Sequence, residues 1–160
     1  MLARSHMSSR NTFLFALLAM VFTLALPSRA LSEWPLKGLP DEAQLAWQAL
    51  RDADVFSFGP LGVAAETSGG ELAMRILTRY PNAVSIFKLA AVEASPEGKL
   101  YALTALHVLD RETYKWALQV KPQGGRVYLQ AACIGGKEPV ADVLKRIESG
   151  TYDKHVPIRK

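Results

Sequence analysis

Residues Pro96 to Leu109 constrain this chain more than any other stretch. Leu100, Tyr101, Ala102, Leu103, Ala105, Leu106, Val108 and Leu109 leave only Thr104 and His107 polar in the middle of a run that reads as one helix. A helix that is apolar nearly all round has to be covered on every side. The rest of the chain must therefore wrap it, and it is the expected central core helix. Its start is well marked. Ser95 can accept from a free amide of the first turn, Pro96 suits the first helical position because no partner is needed for its missing N–H, and Glu97 favours the positive end of the helix dipole.

Other helices follow from spacing and punctuation. Asp41 to about Ala53 mixes Leu45, Trp47 and Leu50 with good helix formers and holds no Gly or Pro. Glu71 to Leu77 stops at Tyr80-Pro81. Asn82 is the expected cap of an apolar helix from Ala83 to Glu93, and Asp110 that of a helix carrying Tyr114, Ala117 and Leu118. Pro139 opens a last helix with Val140, Val143, Leu144 and Ile147 on one face and Gly150 past its end. Between Val55 and Gly70, apolar residues are broken every few positions by Gly59-Pro60, Gly62 and Gly69-Gly70, which reads as a packed loop. A phosphate-binding glycine loop is not indicated, since neither G-x-G-x-x-G nor G-K-[ST] spacing occurs. Only Arg126 to Ile134 alternates in the manner of a strand. The expected fold class is mainly α: a compact bundle of about six helices with at most one short extended segment near 126–134, and a loose polar tail from about Thr151.

Arg4 and Arg10 precede an uninterrupted apolar run from Phe13 to Leu26, followed by Pro27-Ser28-Arg29-Ala30. About 14 residues are too few to span a hydrocarbon core that needs roughly 20. Small residues sit three and one positions before Leu31, so residues 1–30 read as a cleavable secretory signal and 31–160 as a single mature domain. The expected location is exported, periplasmic or secreted, with no stable membrane insertion after cleavage. Three arginines leave with the leader, so 19 basic residues fall to 16 against 15 acidic ones. The mature chain thus has no basic excess from which counterion release could drive nucleic-acid binding, and no nucleic-acid partner is expected. Cys133 is the only cysteine, so stability must come from packing rather than from an internal disulfide. Burial is the expected fate of that thiol.

An offset of about 28 residues aligns Leu72 with Leu100, Asn82 with Asp110, Ile86 with Tyr114 and Ala90 with Leu118. The stretch from about 71 to 120 resembles short bacterial HEAT-like helical hairpins: an Ala/Leu-rich first helix, a tight Leu109-Asp110 corner and an amphipathic second helix. That resemblance implies stacked hairpins with a concave binding face, and it carries no catalytic residue. The mature chain also resembles small exported bacterial proteins that combine Ser95–Leu103 with Cys133-Ile134 and Asp142–Ile147, a likeness that brings no function with it.

Candidate chemistry is sparse. Cys133 precedes Gly135-Gly136 and the helix near Pro139, where a helix N-terminus would favour a thiolate. His107 or His155 could serve it as base, oriented by Asp110 or Asp142. On its own helix His107 neighbours Leu103 and Leu100, which favours a satisfied, partly buried imidazole. No zinc-ligand spacing is present, and neither metal nor cofactor is expected. Glu138 and Asp142, four apart, are followed by Lys145 and Arg146 and read as ordinary surface pairing. The expectation is a small non-catalytic binding or scaffold module of the cell envelope, meeting an envelope protein through Tyr114, Lys115 and Trp116. The alternative is a thiol-dependent envelope enzyme or redox partner using Cys133.

Overall fold

The computed structural model of the chain describes residues 34–62, 64–122 and 124–158. The leader and its cut before Leu31 lie outside them. In chain order the elements are α1 (Asp41–Arg51), β1 (Phe56–Leu61), α2 (Gly69–Leu77), α3 (Ala83–Glu93), α4 (Pro96–Leu109), α5 (Arg111–Ala117), β2 (Arg126–Ala132), β3 (Ile134–Pro139) and α6 (Val140–Glu148). Single 3-10 turns occupy Trp34–Leu36 and Asp153–His155.

α4 is the centre. Every residue from Leu100 to His107 is buried, and α4 meets α3, α5, α2, α6, α1, β1 and β2. Fully burying one Leu- or Phe-sized side chain contributes about 1.5–3 kcal/mol, so this helix supplies a large share of the core. Its first turn is fastened as its residues imply, and by more. Ser95 Oγ accepts from Gly98 N at 3.0 Å while donating to the Ala53 carbonyl, and Ser95 N donates to the Arg51 carbonyl. The Glu97 carboxylate also accepts from Tyr128 N at 3.0 Å, tying the helix start to β2. Gly98 is required there: a Cβ would run into the Leu50 carbonyl oxygen and lie 2.8 Å from Ala94 Cβ.

The mainly α expectation is overturned by a three-stranded mixed sheet in the order β1-β2-β3, which makes the domain α/β. β1 pairs parallel with β2 (Phe56↔Leu129, Ser57↔Gln130), and β2 antiparallel with β3 (Val127↔Glu138, Leu129↔Gly136). A parallel pair needs a long crossover, here α2 to α5. The segment read as a packed loop is thus β1. Pro60 is tolerated because β1 is an edge strand, and Gly59, at φ +83°, turns its N–H toward α2. The other edge of β1 is covered by side chains: Ser57 N donates to Tyr101 Oη, and the Ser57 carbonyl accepts from Tyr101 Oη and Ser68 Oγ. β3 is glycine-rich, and Tyr128 lies over Gly135, where a Cβ would collide with its hydroxyl.

Helix pairing also departs from the 28-residue register. α1 packs chiefly on α2 and α3 on α4, rather than α2 on α3. Asn82 does not cap α3; its Nδ2 donates to the Pro35 carbonyl at 2.7 Å and fixes the lead-in. Asp110 does cap α5, accepting from Glu112 N and Thr113 N. Among the described residues no helix is long and apolar enough to cross a membrane.

Candidate functional site

Glu71 organises one end of the sheet. Its side chain is fully buried, in the first turn of α2, where Ser68 caps the helix by accepting from Glu71 N at 3.1 Å. A carboxylate without water needs charged and hydrogen-bonding partners. Glu71 has three: Arg75 Nη2 at 2.6 Å, Gly59 N at 2.8 Å and His155 Nδ1 at 3.3 Å. One buried acid thereby joins α2, β1 and the C-terminal turn.

The tail from Thr151 to Val156, expected to be loose, is anchored along its length. Val156 is buried. Phe58 is stacked between Tyr152 (centroids 5.0 Å apart, 27°) and His155 (5.0 Å, 29°), and Phe56 meets both Phe58 and Tyr152 edge-on. Asp153 supplies a second anchor by accepting from His107 Nδ1 at 2.8 Å. Arg111 Nη1 lies 2.5 Å from His107 Nε2. A guanidinium only donates, so Nε2 is the acceptor and the proton sits on Nδ1. His107 is buried with both ring nitrogens committed, and its ring meets Tyr114 edge-on.

Between this turn and the β1–β2 pair lies a cavity of about 280 Å³, lined by Phe58, Leu129, Gln130, Arg146, Tyr152 and Lys154 together with His155. Its wall combines aromatic and aliphatic side chains with the cationic Arg146 and Lys154. Arg146 is bound to Glu138 through Nη2, while its buried Nε has no partner. Adjoining it, and sharing Lys154 and His155, is a second cavity of about 250 Å³ walled by Arg75, Arg79 and Pro157. Arg75 Nε is likewise buried without a partner. Burial holds the His155 imidazole below its ordinary value; the attraction of Glu71 opposes this and Lys154 and Arg75 add to it.

Ser57, His155 and Glu71 do not make a nucleophile–base–acid relay. Phe56 and Phe58 both meet the Tyr152 ring, so they share one face of β1, and His155 stacks on that face. Side chains alternate along a strand, so Ser57 points to the other face. There its hydroxyl is buried without a partner.

The residues singled out in the sequence are dispersed. Cys133, expected buried, is exposed at the turn of the β2–β3 hairpin, beside Ala132 at φ +52° and the largely exposed Ile134. The whole of β3 separates it in the chain from the N-terminus of α6, so it is not a first-turn residue of that helix. His107 is committed to Arg111 and Asp153 and is not a free base. Tyr114, expected to face a partner, is 5% exposed because it fills the space beside His107. Lys115 projects into solvent and pairs with Glu112, and Trp116 is half-buried beneath Lys88, whose Nζ is 4.6 Å from its ring centre. Asp142 pairs with Lys145, as read from spacing. Among the described residues no group of three or more His, Cys, Asp or Glu could hold a metal ion.

Sequence reasoning missed Phe58, Tyr152, Arg146, Lys154 and the Arg75/Arg79 pair. Two signals were available: Arg75 and Arg79 are four apart, and Tyr152 and His155 place two rings three apart just before the apolar Val156. No protein-family model, curated protein or solved structure matches the chain.

Proposed function

We propose that this protein is a small, exported, non-catalytic binding module whose ligand is a small organic anion with a flat apolar body, seated between β2 and the C-terminal turn. The observation that carries this reading is the cavity in which the stacked rings of Phe58, Tyr152 and His155 adjoin Arg146, whose buried Nε lacks an acceptor. Small-ligand sites combine an apolar concavity with a few well-placed polar groups, and an orphaned buried donor favours a ligand atom there. The ring faces supply dispersion, and the guanidinium gives orientation. Catalysis is not favoured, because His155 is committed to Glu71, the Ser57 hydroxyl is buried with no hydrogen bond to it, and the Thr151 hydroxyl is bound to Ser149.

Titration of the isotopically labelled protein with benzoate, followed by amide shifts, tests the reading. Saturable shifts are expected at Leu129, Gln130, Tyr152 and Lys154, weakened several-fold in Arg146→Gln by loss of a charge-assisted contact. Shifts confined to residues remote from this cavity, or none up to the solubility limit, refute it. Export is tested by intact mass from an envelope fraction, which should begin at Leu31.

The exposure of Cys133 favours a second reading, thiol–disulfide exchange with an envelope partner. In that step the Cys133 thiolate attacks a partner disulfide and displaces one of its sulfurs as thiolate, leaving a mixed disulfide. Alkylation of the folded protein at the rate of a free model thiol, with no mixed disulfide recovered under non-reducing conditions, refutes it.

A further inference from the structure

His155 brings to the aromatic cavity a chemistry that its cations lack. Its side chain is mostly buried, lines the cavity and stacks on Phe58. Nδ1 is 3.3 Å from Glu71 Oε1, on a carboxylate that also accepts from Arg75 Nη2 and Gly59 N. An ionised carboxylate only accepts, so the single proton of a neutral imidazole sits on Nδ1 and Nε2 keeps its lone pair. Burial holds this imidazole below its ordinary value and so keeps it neutral at pH 7. The two ring nitrogens point away from each other, which turns Nε2 from Glu71. Among the described residues no group donates to it. Arg146 and Lys154, which line the same cavity, can only donate. The cavity therefore presents cationic donors together with a bare nitrogen acceptor beside the ring stack.

We infer that the ligand is a hydroxyaryl carboxylate, its acid on the Arg146 side and its hydroxyl donating to His155 Nε2, so that His155 selects for the hydroxyl. This rests on the binding reading above and specifies the ligand's second polar group. An aromatic body seated on the rings displaces the water that would otherwise serve Nε2, and a ligand without a donor leaves that lone pair stranded. A phenol supplies the proton, since it stays un-ionised near neutral pH. A methyl ether of the same outline has none to give.

The test titrates the full chain at pH 7 with benzoate, the meta and para hydroxybenzoates and their methyl ethers, by calorimetry and by the nitrogen resonance of His155 Nε2. At least one hydroxybenzoate is expected to bind about three- to tenfold more tightly than benzoate, the effect of one net hydrogen bond, and its methyl ether no more tightly than benzoate. In the free protein the Nε2 resonance should be that of an unprotonated nitrogen, and it should move toward the protonated position only with the hydroxybenzoate. His155→Phe keeps a ring against Phe58 but removes the acceptor, and should reduce the preference over benzoate to less than about twofold. Equal affinities for benzoate and both hydroxybenzoates, a methyl ether that binds as tightly as its parent, a protonated Nε2 in the free protein, or a preference that survives in His155→Phe overturns the hydroxyl inference and leaves the binding reading standing. Absence of binding by every probe overturns both.

Discussion

Replacing Tyr101 by Phe isolates one hydroxyl on which the β1–α2–α4 junction depends. The ring stays, so no cavity opens; what goes is an oxygen that accepts from Ser57 N at 2.8 Å, donates to the Ser57 carbonyl at 2.8 Å and lies 2.9 Å from Ser68 Oγ. The Ser57 carbonyl keeps Ser68 Oγ at 3.2 Å, but Ser57 N is left buried and unpaired. A stranded buried donor costs about 1–3 kcal/mol, so Tyr101→Phe should lose about 2 kcal/mol at pH 7, or about 6–10 °C in Tm for a domain of this size. A second effect is visible in alkali. Burial pushes the Tyr101 phenol up to about 12, against the hydrogen bonds from Ser68 and Ser57. In the unfolded chain the phenol ionises near 10, so from pH 10 to 12 the unfolded state loses a proton that the folded state retains. Stability contributed by keeping this phenol protonated is present below pH 10 and falls by up to about 3 kcal/mol as pH rises to 12. The Phe variant lacks that decline. Urea unfolding by circular dichroism across pH 7 to 12 should show the gap between the two proteins closing as pH rises. Parallel curves, or a neutral-pH difference under about 0.5 kcal/mol, would refute the argument.

Three further perturbations probe other joints. Asp153→Ala strands the buried His107 Nδ1–H and should cost about 1–3 kcal/mol, while Asp153→Asn, whose amide oxygen still accepts, should restore most of it in chemical unfolding; equal losses in both would contradict the neutral tautomer drawn from Arg111. Gly98→Ala gains about 1 kcal/mol of helix propensity but forces a methyl into the Leu50 carbonyl, an overpacking that costs about 1–3 kcal/mol, so thermal melts should show net destabilisation, and a rise in Tm would show that the helix start can shift. Because His155 is held below its ordinary value, the unfolded state takes up that proton first as pH falls through about 6.5, so its contribution is present above that pH and is lost in acid; His155→Gln should flatten stability between pH 7 and 5, and an unchanged slope would exclude His155 as the source.

The helices were readable from their period, and most sharply where a cap residue marks the start as well. Ser95-Pro96-Glu97 and Asp110 fixed the ends of α4 and α5, and the all-round apolar surface of α4 marked it as central. The sheet was not readable, for reasons particular to its strands. β1 contains Gly59-Pro60 and is stabilised by partners distant in sequence, Tyr101 on one edge and β2 on the other. β3 has low intrinsic strand preference; its conformation comes from pairing with β2 and from Tyr128 covering Gly135. Local patterning carries no record of pairing between segments some 70 residues apart, so only β2, which alternates by itself, was seen.

The site was hidden by the same non-locality. Glu71 was legible only as a first-turn acid, yet it is the residue through which the tail is fastened to the sheet. Its burial is explained by partners from three places: Arg75 one turn ahead, Gly59 from a strand taken for a loop, and His155 from a tail taken to be loose. Cys133 was conspicuous by rarity, but rarity is not geometry: it stands exposed at a hairpin turn, while the imidazoles of His107 and His155 are engaged by Asp153 and Glu71. The groups that do converge are common surface types, Arg75, Arg79, Arg146 and Lys154, and they share two adjoining cavities only because Phe58 holds Tyr152 and His155 against the sheet. The ring stack that closes the fold at its C-terminal end is thus also what assembles the cationic walls. Loosening it by Phe58→Ala should weaken ligand binding and tail anchoring together, whereas Arg146→Gln should weaken binding alone; amide hydrogen exchange at Tyr152–Val156 read beside a benzoate titration separates the two, and fast exchange in both variants would show that Arg146, and not the rings by themselves, holds the tail.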